Sequence, residues 1–125
     1  MAKKIILAAA LFLTLAVILG AMGAHSLKGK ITPENLDAFK TGVTYHFYHS
    51  LALILIGILM EVFKKPALKI AAILFVIGII CFSGSIYCLT TMENVSFLGP
   101  VTPIGGLFFI AGWITTFIIF LKKSS

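Results

Sequence analysis

Charge is scarce in this chain. Only 11% of its 125 residues are charged, and four in all are acidic. Soluble domains of this size carry roughly a quarter charged residues, so a water-exposed globule is excluded. Cysteine is scarce too: there are two, with no CxxC or paired Cys/His spacing, which argues against zinc modules and thiol redox centres. Cys81 and Cys88 fall about two turns apart on one helix and cannot bond to each other within it, so they are read as packing residues. No internal repeat, low-complexity tract or second domain is visible.

What the chain has is apolar length. Hydrophobic residues make up 60%, and the mean hydropathy is +1.12. Four runs, Ile5 to Ala24, Val43 to Phe63, Ala67 to Leu89 and Leu98 to Leu121, each approach the ~20 residues that a helix needs to cross ~30 Å of hydrocarbon. Barrel strands would alternate in polarity, and lone strands would leave backbone groups unpaired in lipid. The expectation is an all-α integral membrane protein, one antiparallel four-helix bundle over 1–125 with helices at about 5–24, 33–63, 67–89 and 102–121. The net charge of +6 sits at helix ends, where it sets topology, so no nucleic-acid partner is expected.

Lys3, Lys4, Lys64, Lys65, Lys69, Lys122 and Lys123 share one side; Lys28, Lys30 and Lys40 lie opposite, diluted by Glu34 and Asp37. The positive-inside rule puts both termini in the cytoplasm of a multi-pass cell-membrane protein. The first run has the form of a signal peptide, but its apolar stretch exceeds a usual signal core, and an uncleaved span is expected. In that run Ala16, Gly20 and Ala24 form a small-residue stripe for helix packing.

Thr32, Pro33 and Glu34 read as a cap, a first-turn proline and an acid at the positive helix end, so the second helix starts there. Running to Phe63, it exceeds the membrane thickness. Leu36, Phe39 and Val43 with Asp37 and Lys40 suggest a short amphipathic surface helix before helix 2, bent at Gly42, with a straight protruding helix as the alternative. Glu61 stands four before Lys65 as an interface anchor. At the fourth helix, Thr102 reads as the cap and Pro103 as the first helical residue, leaving Gly105 and Gly106 with uncovered N–H groups.

The polar side chains gather at one end of these spans: His25, Tyr45, His46, Tyr48, His49, Ser50, Ser83, Ser85, Tyr87, Thr102 and Pro103, facing outward in this topology. Helical spacing puts Tyr45 and His49 on one face and His46 with Ser50 on the next, and the first pair is taken as inward. The candidate ligand layer is His25, Tyr45, His49, Ser83, Ser85, Tyr87, Thr102, Gly105 and Gly106. It suits a lipid headgroup or small anion at the start of the fourth helix.

Four other readings stay open. The polar residues could serve packing alone, with the chain as a structural or assembly partner of another membrane protein or as a homo-oligomer. His25 with His46 or His49 would be the ligands of a metal or haem, though no carboxylate orients them, and no metal or cofactor is expected. Transport lacks a polar relay in the other half, where the hydroxyls of Thr14, Thr115 and Thr116 can bond their own helix backbone. An enzyme with Ser83 or Ser85 as nucleophile and His49 as base lacks an acid to orient the base, so catalysis is not expected.

Four segments, GAMGAHSL at Gly20 to Leu27, TGVTYHFYHSLAL at Thr41 to Leu53, CFSGSIYCL at Cys81 to Leu89, and LGPVTPIGGLFFIAGW at Leu98 to Trp113, together resemble the small four-helix membrane family called domain of unknown function 423. The resemblance covers nearly the whole chain and implies the same fold. It marks His25, Tyr45, Tyr48-His49, Ser83-Gly84-Ser85 with Tyr87, and the Gly99 to Gly106 segment, and it makes His46 the weakest member of the layer. On activity it implies nothing.

Overall fold

The computed structural model describes residues 1–122, so Lys123 of the expected basic pair lies outside the described residues. Four helices are long and apolar enough to cross a membrane: α1 (Ala2–Ser26), α2 (Pro33–Phe63), α3 (Leu68–Thr91) and α4, which runs Val101–Leu121 behind a 3₁₀ turn at Ser96–Leu98. No strand occurs among the described residues. Two stretches are wound as π-helix, Met22–Ser26 closing α1 and Ile79–Gly84 inside α3.

The start of α2 follows its sequence signal. Thr32 is extended, its hydroxyl oxygen accepts from the Asn35 N–H at 3.1 Å, and Pro33 opens the helix. The separate surface helix expected ahead of α2 is not there: helical structure runs unbroken from Pro33 through Gly42 to Phe63. Gly42 serves close approach instead of a bend. A Cβ on it would lie 3.1 Å from the Ile86 side chain and 3.2 Å from the Tyr87 ring. The helix ends where Lys64 takes a left-handed conformation at φ 53°. That turn pairs Glu61 with Lys64, at 3.8 Å, in place of the expected Lys65, whose ammonium lies over the Phe120 ring.

Burial tells which helices are central. In α2 and α3, 44% of the apolar window is buried, against 17% in α1 and α4. So α2 and α3 form the middle, α1 packs along α2, and α4 packs along α3. Phe75, Leu53, Ile56 and Leu68 are the large side chains enclosed at the centre. Burying an apolar side chain of this size stabilises by about 1.5–3 kcal/mol in water; in lipid, packing rather than dehydration supplies the gain.

Small residues set both outer contacts. On α1 the buried positions are Ile5, Ala9, Ala16 and Gly23, the last three in a seven-residue repeat, and Ala24 of the expected four-residue stripe is exposed. A seven-residue spacing is the seam of helices packed side by side, and it brings Gly23 under the Phe39 ring, with Gly20 against Val43. Between α3 and α4 the fit is reciprocal: the Phe109 ring covers Gly78 and the Phe75 ring covers Gly112. Nearer the polar end, Gly105 lies backbone to backbone on Phe82, with a Cβ there falling 2.7 Å from the Phe82 Cα.

Candidate functional site

The polar layer divides around α2 into two clusters and one outlier. Towards α1 and α3, His46 is 3% exposed, and its Nδ1 shares a 2.7 Å hydrogen bond with the Tyr87 hydroxyl. Its Nε2 is buried with no hydrogen-bond partner among the described residues. Below Tyr87, the Ser83 hydroxyl donates to the Gly42 carbonyl across 2.7 Å, tying α3 to α2 where Gly42 lies against Ile86 and Tyr87. Sequence reading ranked His46 lowest, and the structure buries it as deeply as any histidine in the chain.

Towards α4, His49 is 5% exposed and uses both ring nitrogens. Nδ1–H donates to the Tyr45 carbonyl at 2.8 Å, and Nε2 accepts from the Trp113 indole N–H at 3.0 Å. Since an indole N–H only donates, Nε2 must carry the lone pair, which fixes a neutral imidazole protonated at Nδ1. The ring stacks on Phe109 with centroids 3.6 Å apart. His49 is therefore inward, as the spacing suggested, while Tyr45 stands at the rim, 42% exposed. Trp113 was missed as a partner because no local spacing links positions 64 residues apart.

Farther out, the Ser85 and Thr102 hydroxyls are hydrogen-bonded to each other, joining α3 to α4. Thr102 is thus not the cap of α4. The helix begins at Val101, two residues before the expected Pro103, with Pro100 at the cap position and no side-chain cap. His25 is exposed on the π turn that ends α1 and joins neither cluster. The three histidines consequently do not converge, and no group of three His, Cys, Asp or Glu side chains is placed to hold a metal among the described residues.

Beside His49 a cleft opens between α2 and α4. Tyr45, His49, Phe82, Gly106, Phe109 and Trp113 line it, its volume is about 460 Å³, and Leu107 and Ile110 extend it along α4. Gly106 faces this space and Gly105 faces α3, so the two adjacent glycines do different work. At the opposite end the Phe63 and Phe120 rings meet edge to face at 5.3 Å and close the gap between the helices. In that half, Thr14 and Thr116 donate to the Ala10 and Gly112 carbonyls of their own helices, leaving no polar relay through them.

The family model described as "Protein of unknown function (DUF423)" matches residues 19–106. The chain is 40% identical over 121 residues to UPF0382 membrane protein YwdK of Bacillus subtilis (strain 168), covering 96% of this chain and 98% of that protein. It is 42% identical over 120 residues to UPF0382 membrane protein SAB0533 of Staphylococcus aureus (strain bovine RF122 / ET3-1), covering 96% and 97%. Against UPF0382 membrane protein SH2409 of Staphylococcus haemolyticus (strain JCSC1435) the identity is 38% over 120 residues, covering 96% and 97%. No solved structure matches.

Proposed function

The chain belongs to the DUF423 family of membrane proteins of unknown function, and we propose that this member holds a membrane lipid in the cleft between α2 and α4. An acyl chain lies along Leu107 and Ile110, and the headgroup sits level with Tyr45 and the start of α4. The observation that supports this reading is the cleft itself, open between two helices that meet through side chains and walled by aromatic rings. Its volume of about 460 Å³ falls in the ~300–1,000 Å³ range of small-molecule sites.

Hydrogen-bond accounting favours a lipid over a free anion. His49 has no unused nitrogen, Ser83 is committed to Gly42, and Ser85 and Thr102 are committed to each other. The close packing of Gly105 on Phe82 removes that face of α4 as an anion cradle. What remains for a headgroup is the Tyr45 side chain and the first-turn N–H groups of α4, which has no acid in its first turn. A ligand held mostly by apolar walls, with few polar contacts at one end, fits that supply. In this reading the polar layer faces out of the cell and both termini lie in the cytoplasm, as the lysine distribution favours.

The test uses Trp113, the one tryptophan of the chain. Protein purified in mild detergent is expected to retain about one lipid, and phosphatidylcholine with brominated acyl chains, added at low ratio, is expected to quench Trp113. Gly106→Phe, whose ring fills the cleft, removes both effects. A wild-type protein that retains no lipid and is not quenched overturns the reading. Disulfide formation between two Leu107→Cys chains in the membrane would instead assign the cleft to self-assembly.

A further inference from the structure

A second cleft lies at the other, lysine-rich end of the molecule, between α1 and α3. Its volume is about 250 Å³, and its walls include Ala8, Leu53, Ile73 and Val76, while Lys4 and Lys69 are the charged side chains lining it. Lys4 is in the first turn of α1 and Lys69 in the first turn of α3, which places both at the membrane interface, with their apolar stems beside the groove. Both are exposed.

From these features we infer that the α1–α3 cleft is a site for an anionic phospholipid, with one acyl chain in the groove and the phosphodiester between Lys4 and Lys69. Two ammonium groups at the mouth of one narrow apolar groove repel each other, and an anion between them turns that repulsion into attraction. Neither α1 nor α3 has an acidic residue in its first turn, so the positive helix ends add to the same field.

The neighbouring grooves show why this one is selective. Between α1 and α2, Lys3 shares the lining with Glu61; the adjoining pocket near Pro66 pairs Glu61 with Lys64. Glu61 is the sole acidic residue at this end, since Glu34, Asp37 and Glu93 lie at the other ends of the helices. Among the described residues, the cleft carrying Lys4 and Lys69 therefore has cationic side chains with no internal counter-ion. A zwitterionic lipid would bring its own ammonium towards both lysines, so the site discriminates against phosphatidylcholine.

Native mass spectrometry of the full chain in non-ionic detergent, titrated with palmitoyl-oleoyl phosphatidylglycerol or phosphatidylcholine, tests this. The wild type is expected to take up one phosphatidylglycerol with about tenfold or greater preference. Lys4→Gln with Lys69→Gln abolishes the preference, whereas Lys64→Gln with Lys65→Gln, an equal loss of charge outside the groove, leaves it intact. Ile73→Trp, on the exposed wall, reduces uptake of both lipids at this site. Gly106→Phe, which fills the α2–α4 cleft, leaves the preference unchanged, so the two sites are read separately. Equal uptake of the two lipids by the wild type overturns the inference, as does an equal loss in the Lys64/Lys65 pair or loss of the preference in Gly106→Phe. Circular dichroism of each variant, with Trp113 emission for those that keep a single tryptophan, confirms that it is folded.

Discussion

Trp113 donates its indole N–H to Nε2 of His49 across 3.0 Å, binding α4 to α2 where the two helices otherwise meet through ring contacts. Trp113→Phe leaves a buried imidazole nitrogen unpaired and is expected to destabilise by about 1–3 kcal/mol. His49→Phe gives up the same bond. A double-mutant cycle read by thermal unfolding in detergent should return a coupling of about 0.6 kcal/mol, the average for hydrogen bonds between membrane helices, and no more than about 1.7 kcal/mol. Strict additivity would show that the bond carries no stability.

Adjacent glycines on α4 should respond in opposite ways. An added methyl at Gly105 meets the Phe82 backbone, which cannot turn aside as a side chain can, whereas a Cβ at Gly106 has the Phe82 ring 3.8 Å away. Gly105→Ala is expected to cost about 1–3 kcal/mol or more and to lower the yield of folded protein. Gly106→Ala should be neutral. Size-exclusion chromatography after graded heating gives the comparison.

The His46–Tyr87 pair predicts a rescue. His46→Phe leaves the Tyr87 hydroxyl without the partner it has at 2.7 Å, and a loss of about 1–3 kcal/mol is expected. Adding Tyr87→Phe removes the stranded hydroxyl. Because Nε2 of His46 has no partner to lose, the double variant should recover to near wild-type stability or above it. A double variant less stable than either single one would show that the two groups serve something other than each other.

Orientation can be read chemically. In a background lacking Cys81 and Cys88, a cysteine at Lys30 or Asn94 is expected to react with an impermeant maleimide on intact cells. A cysteine at Lys64 should react only after the cells are opened. The reverse pattern would invert the molecule and place the α1–α3 cleft in the outer leaflet.

The fold was legible where the signal is local or follows from the bilayer. Four spans follow from hydrophobic length, and the start of α2 from Thr32-Pro33-Glu34, because a cap is made by neighbours in sequence. The site was legible only in its level. Helical spacing separates Tyr45 and His49 from His46 and Ser50, but it cannot say that α2 is central, so both faces are covered and His46 is as enclosed as His49. Gly42 and Gly105 were visible as glycines and misread, one as a bend and the other as an open backbone, since the residue type does not reveal which neighbour comes close. Trp113 looked like one more apolar residue in a long run until folding brought its N–H to His49.

The wide turn at Ile79–Gly84 amounts to one surplus residue within α3. Winding the same residues as ordinary α-helix, with none removed, would rotate everything from Ser85 to Thr91 by roughly 100°. Ser85 would swing away from Thr102 and Tyr87 away from His46, while the half of α3 that starts at Leu68 kept its place in the core. The two halves of this helix are therefore phased independently, so the chain's hydroxyl and imidazole contacts have a register of their own, set by the length of six residues.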